Sequence, residues 1–391
     1  MAQLNNWLTI SRLNGGGNAE VTLTASPNEA TEARNASIRI KTNTKTIILN
    51  ASQREFEPMN PNNIPDNQLW MKSTYGSVIE PSRYSNEFKG KIISTELTLD
   101  GWTIFTFDEP LTIIEDSAFE QVNYIENIVF PKSLTTIGEY AFYNVIHLTS
   151  LTLPDSVITI GDWAFMNCTG LTSVNLGSVE TISERAFNGC SALATLNLGN
   201  RVTTINKEAF QSCKALTTLV IPNSVTTIGE KAFYNCDSLE TVIFPNSVTT
   251  IGGQVFASCD LLRVFNSSLA TEDKRCLIIN NKLVAFASAE IGTYVIPDGV
   301  TEIGDGAFMT SNITEITIPK GVTSIGNYTF YNCKSLSKII CKAQIAPLYY
   351  NNTFYGIKTN GVLEYPQGSN YSSWLTGGYN LGNYGWRGVP Y

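Results

Sequence analysis

The sequence predicts a solenoid: a stack of coils of about 23 residues, each with a short strand and a short helical turn, preceded by a small all-β segment. Three observations predict it. An aromatic recurs at Phe119, Phe142, Phe165, Phe187, Phe210, Phe233 and Phe256 in steps of 23, 23, 22, 23, 23 and 23 residues; it returns 52 residues later at Phe308, then at Phe330 and Phe354 after 22 and 24. An isoleucine stands five residues before nine of these ten, at Ile114, Ile137, Ile160, Ile182, Ile205, Ile228, Ile251, Ile303 and Ile325. The remaining apolar positions keep fixed offsets too, and one such coil cannot bury its apolar face without stacking on neighbours.

Each piece of a coil has its own signal. "LTSVNLG" (Leu171 to Gly177) alternates as a short strand, and "SVTTIG" (Ser224 to Gly229) is a turn leading into a second extended piece, with Gly229 turning the chain. "EKAFYNC" (Glu230 to Cys236) reads as about one helical turn. The inward set is Val225, Ile228, Ala232, Phe233 and Cys236, with Thr226, Thr227, Glu230 and Lys231 facing water.

The cysteines follow the same register. Six of the eight, Cys168, Cys190, Cys213, Cys236, Cys259 and Cys333, lie three residues after the repeated Phe, where other coils place Val122 and Val145. A slot that accepts Cys or Val is a packing slot, since a free cysteine behaves as a small hydrophobe. A disulfide would need Cβ atoms about 3.5–4.5 Å apart, and zinc would need clustered spacing; neither signature is present. Cys276 and Cys341 fall outside the ladder and are expected to pack beside strands.

Composition excludes several functions. With 26 Lys and Arg against 34 Asp and Glu, a net charge of −8 and no basic cluster, the chain has nothing to release counterions from a nucleic acid or an anionic membrane. Apolar runs are too short to cross a membrane, and the start, "MAQLNNWLTI", has neither a basic n-region nor an apolar h-region. The single histidine, His147, follows a cysteine slot and reads as an exposed loop residue; one histidine makes multi-histidine metal sites impossible and a Ser-His-Asp triad improbable. Asp162, Glu184, Glu208, Glu230 and Asp305 fall where acidic groups favour the positive end of a helical turn. "LNGGGN" (Leu13 to Asn18) lacks the lysine of a phosphate loop and reads as a hairpin turn. No catalytic residue, metal site or cofactor is expected.

What remains is surface. The outward positions of the alternating strands are Ser150, Thr152, Ser173, Asn175, Thr195, Asn197, Thr218, Val220, Thr241, Ile243, Glu315 and Thr317, a row of small, mostly neutral side chains. Such a face suits a broad contact with a macromolecule better than a deep small-molecule pocket. Residues 346–391 carry eleven aromatic residues, and Tyr371, Trp374, Tyr379 and Trp386 are candidates either to stack on a glycan or to close the end of the array.

The repeated pattern, with "SVTTIGEKAFYNC" and "SVTTIGGQVFASC" as its clearest copies, resembles the BspA-like, Treponema-type leucine-rich repeat of bacterial surface proteins. The resemblance implies a right-handed curved array over 113–345 with a longer hairpin-bearing repeat at about 260–304, a lead-in cap module at 57–112, and an aromatic, glycine-rich cap at 346–391 in which "YPQGSNYSSW" is similar to the closing coil of such arrays. Residues 1–56, with Trp7, "AEVTLTAS", "ARNASIRI" and Gln53, resemble the later part of a BACON domain, a small β-sandwich thought to bind carbohydrate or to act as a spacer; the strands that should precede Trp7 are missing. These resemblances imply a non-enzymatic, monomeric recognition or adhesion protein, extracellular or at the cell surface with its export signal trimmed, binding a host extracellular-matrix or bacterial surface protein. The alternative is a carbohydrate-binding accessory protein using the C-terminal aromatics or the BACON-like segment.

Overall fold

A computed structural model describes residues 64–391 apart from 99, 351 and 377–379, and the backbone of five strands within the first 63 residues. The chain divides into two compact units, Met1–Ile64 and Pro65–Tyr391. In the first, strands Gln3–Leu4, Leu8–Ser11 and Thr22–Ala25 form an antiparallel sheet, and Arg34–Lys41 pairs antiparallel with Thr46–Gln53, Arg34 opposite Gln53. Trp7 and the glycine-rich turn Leu13 to Asn18 lie outside the described residues.

The second unit opens with an antiparallel sheet, in the order Ile125–Val129, Gln68–Ser73, Trp102–Phe107, Ile92–Leu97. Strict alternation turns Leu69 and Met71, and across from them Phe105 and Phe107, into the core. Phe88, from the helix Asn86–Lys91, closes this end by packing its ring 5.2 Å from Phe119 and 5.6 Å from Phe107.

From Phe119 onward the coils stack in register. Six Thr-Ile pairs and the leading Ile113–Ile114 build a seven-stranded parallel sheet in which Ile114, Ile137, Ile160, Ile182, Ile205, Ile228 and Ile251 stand in line. Behind them the phenylalanines form a continuous column: Phe142 and Phe165 lie 5.1 Å apart at 8°, Phe165 and Phe187 5.3 Å at 2°, and Phe210 and Phe233 5.4 Å at 5°. The column forms because identical residues fall at identical places in successive coils, so neighbouring rings meet face to face at the spacing the sheet imposes.

The segment expected to be a helical turn is not helical. Two residues in every coil, two before and two after the Phe, are left-handed, as at Lys231 (φ 55°) and Asn235 (φ 60°). Their N–H groups point to the next coil: Lys231 N–H donates to Gly253 O at 3.0 Å, Phe233 to Val255 O at 3.1 Å and Asn235 to Ala257 O at 3.0 Å. A helical turn would keep such donors for itself or leave them open at its start; the two-turn arrangement spends them on bonds between coils. Without a helix, the acidic residues also change role, for Asp162 Oδ1 accepts the N–H of Glu184 at 3.0 Å and Asp305 Oδ1 that of Asn327 at 2.8 Å. Gly229 likewise does not turn the chain. Its φ is ordinary, and a Cβ there would lie 2.5 Å from Lys207 N, so the glycine is required by close approach of two backbones.

The 52-residue step holds an antiparallel hairpin, Cys276–Ile279 with Lys282–Phe286, whose second strand pairs with Glu302–Ile303. Its alternating faces separate two cores: Leu277, Ile279 and Val284 join the one behind, Cys276, Leu283 and Phe286 the one ahead. At the far end Val362–Tyr365 and Arg387–Pro390 continue the parallel strand face.

Candidate binding surface

The cysteine slot is core. All eight cysteines are buried free thiols, and Val122 and Val145 occupy the slot at 7% and 0% exposure. Each ladder thiol donates to the carbonyl of the preceding coil's Phe, Cys168 to Phe142 O at 3.2 Å and Cys333 to Phe308 O at 3.0 Å. Burial pushes the Cys168 and Cys333 thiols up to about 12, away from the reactive thiolate. Cys276 and Cys341 are buried within strands. His147 is half-buried rather than exposed, its Nδ1 2.6 Å from Asn123 O in the previous coil.

The outward strand residues are brought together as three parallel sheets. In the first, Ser150, Ser173 and Thr195 stand in one row, with Thr152, Asn175 and Asn197 in the next; Asn197 Nδ2 donates to Asn175 Oδ1 at 3.1 Å. In the second, Thr218, Thr241 and Val264 form one row and Val220, Ile243 and Asn266 the other. The third carries Glu315, Lys338 and Val362 beside Val295, Thr317, Ile340 and Glu364. The surface therefore changes along the array from hydroxyls and amides to exposed aliphatic groups: Val220 is 50% exposed, Ile243 43% and Val295 62%. Lys338 lies between Glu315 (3.8 Å) and Glu364 (3.1 Å), so this stretch carries little free charge. Thr317 does not belong to the open face. It is 8% exposed, because its register neighbours are the branched Val295 and Ile340, on strands about 4.8 Å away.

Three of the four candidate glycan-stacking aromatics present no open ring face. Tyr371, Trp374 and Trp386 are buried, with Tyr371 OH donating to Ala343 O at 2.8 Å, Trp374 Nε1 to Pro347 O at 3.0 Å and Trp386 Nε1 to Lys358 O at 2.6 Å. Trp374 packs 5.3 Å from Phe354, the last ring of the column, and so covers the end of the core. Tyr379 lies outside the described residues.

A feature absent from the sequence reading is a groove of about 400 Å³ on the turn side, lined by residues of the Phe210, Phe233, Phe256, Phe308 and Phe330 coils. Its residues come from both sides of the hairpin, and no local pattern signals that they meet. Among the described residues no group of His, Cys, Asp and Glu is arranged to hold a metal ion, and no helix is long and apolar enough to cross a membrane.

Comparison with known proteins gives both family and structural matches. Residues 3–54 match the BACON model, an N-terminal binding domain. A leucine-rich cell surface protein of Faecalibacterium prausnitzii A2-165 is 25% identical, with 73% of this chain and 95% of that one covered at a TM-score of 0.37. A leucine-rich repeat protein of Bacteroides ovatus is 22% identical, with 76% and 98% covered at a TM-score of 0.41. Among curated proteins none matches. The model of the BspA type leucine-rich repeat region matches in six copies over residues 99–216, 175–283 and 278–373, well over half of the chain, and the protein belongs to the BspA-type leucine-rich repeat family.

Proposed function

We propose that this protein is a non-catalytic recognition or adhesion protein, monomeric and placed outside the cell or at its surface, that binds a host extracellular-matrix or bacterial surface protein through its strand face. The exposed aliphatic pair Val220 and Ile243, adjacent in one row, with Val295 exposed in the next sheet and hydroxyl and amide rows beside them, carries the reading. Exposed apolar side chains rimmed by polar groups are what a protein partner buries. Residues 1–56 are a BACON-like segment, 57–112 a lead-in cap and 346–391 a closing cap around the 113–345 array. A catalytic role has little to stand on, since the one histidine is tied to a neighbouring carbonyl and Asp162 and Asp305 are occupied by backbone donors.

The test is binding of the intact chain to immobilised extracellular-matrix and bacterial surface proteins. Val220→Glu and Ile243→Glu, both at exposed positions and expected to leave the fold intact, should weaken binding at least tenfold, by about 1.4 kcal/mol. Binding unchanged in the double variant would move the site off this face.

A further inference from the structure

The groove on the turn side is built by two departures from the repeat. Three residues before the Phe, coils carry Asp, Glu, Lys or Asn except at Gly253; two residues before it, Gly306 is the one glycine. Both departures fall at the coil junction spanned by the hairpin. There the turn ladder keeps one of its usual three rungs: Gln254 N–H donates to Asp305 O at 2.9 Å, as Lys231 does to Gly253 O at 3.0 Å, but among the described residues the N–H groups of Phe256 and Ser258 make no bond to the next coil. On the strand side, by contrast, the hairpin is inserted. With the rungs from Phe256 and Ser258 lost, residues from five coils line one hollow on the turn side. The missing side chain of Gly306 leaves room that Gln254 enters: a Cβ on Gly306 would lie 2.6 Å from Gln254 Cγ.

The lining is aromatic, rich in hydrogen-bonding groups and electrically balanced. Tyr234, Tyr328 and Tyr331 supply rings; Tyr331 is held by stacking on Tyr355 at 5.2 Å and by an edge contact with Tyr328 at 5.6 Å, so its orientation is set before any ligand arrives. The amides of Gln211 and Gln254 and the hydroxyls of the three tyrosines make no hydrogen bond to any other group among the described residues, although all five residues are half-buried. The two charged groups are already paired, Glu208 with Arg185 at 2.6 Å and Lys231 with Glu230 at 2.9 Å. An ionic ligand gains little from such a site. A peptide backbone finds no strand edge to pair with here, because none of the lining residues belongs to a strand.

We propose that this groove binds a neutral carbohydrate, one or two sugar units at the end of a glycan. Ring faces of tyrosine cover the C–H faces of a sugar, and free amides and phenols serve its hydroxyls as both donors and acceptors. A volume of about 400 Å³ lies at the small end of ligand sites. The site is separate from the strand face and from the buried C-terminal aromatics, and does not depend on the reading above.

Saturation-transfer NMR with the intact chain tests it, using glucose, galactose, mannose, N-acetylglucosamine and their β-linked disaccharides, with sialyllactose and a tyrosine-containing peptide pool alongside. At least one neutral sugar should bind, and Tyr331→Ala should weaken it at least tenfold. Gln254→Leu, which keeps the shape and removes the amide, should do the same while circular dichroism stays unchanged. Val220→Glu should leave sugar binding intact, and Gln254→Leu should leave strand-face binding intact, so the two proposals fail separately. The proposal is overturned if no neutral sugar binds, if binding ignores Gln254→Leu, or if only sialyllactose or the peptides compete for the groove.

Discussion

At the scale of the residue, the coil tolerates exchange where volume and polarity are preserved and resists it where backbones touch. Replacing Cys190 or Cys213 by Val reproduces the solution at Val145, losing only a weak S–H donor to a carbonyl, and should change stability by less than about 1.5 kcal/mol in denaturant unfolding. Those thiols also make stability depend on pH. Burial raises Cys168 and Cys333 above the unfolded value near 8.5 to about 12, and Cys190 and Cys213 well above their ordinary value, so above about pH 8.5 the unfolded chain gives up protons that the folded chain keeps, and stability falls as pH rises. Denaturation midpoints between pH 8 and 11 should show this fall in the wild type and a shallower one in a multiple Cys→Val variant. Phe233→Ala removes a ring from the middle of the column and should cost about 3–5 kcal/mol, whereas Thr226→Ala, at an exposed position, should stay within about 0.5. Gly229→Ala should cost about 1–3 kcal/mol despite adding one methyl, because the contact it makes is with backbone that cannot rotate away.

At the scale of the element, the coil is held on three sides by bonds to its neighbours: the strand face, the Thr-Ile sheet and the turn ladder. The first two were legible, because alternation and the Ile-to-Phe spacing report which side chains point inward. The turn was misread as helix, and the reason is physical. "EKAFYNC" has helix-forming residues and an apolar pair at suitable spacing, and nothing local says that its N–H groups will find better partners in the next coil. One signal did exist, two residues after the Phe, where Asn144, Asn167, Gly189, Asn235, Asn332 and Gly356 are residue types that tolerate left-handed backbone. Two residues before the Phe, Tyr140, Trp163, Arg185 and Lys231 carry no such signal and are held left-handed by the ladder. The closing cap behaves as an element too: Trp374→Ala and Trp386→Ala should lower the melting temperature and fray the last coils in hydrogen exchange, by a loss of about 3–5 kcal/mol each. Unchanged stability would mean that these indoles do not close the core.

At the scale of the whole repeat unit, the hairpin divides the array into two cores that share a wall. Nearest-neighbour coupling then predicts that damage on one face of the wall is felt mainly on that side. Leu283→Ala should lower amide protection across 290–391 more than across 111–255, measured by hydrogen exchange with mass detection. The turn-side groove, lined from both sides of the hairpin, is likewise a property of no single coil.

Repetition carried most of what could be read from the chain alone. Period, core register, the packing role of cysteine and the family all follow from identical residues at identical offsets, since stacking converts an offset along the chain into a position in space. Tertiary structure decided whatever depends on departures from the period. It buried Thr317 between two branched neighbours and hid the C-terminal indoles. It also drew Gln211 and Tyr331 into one groove, since two residues 120 positions apart are placed by the stacking of the coils between them and not by any pattern that either belongs to.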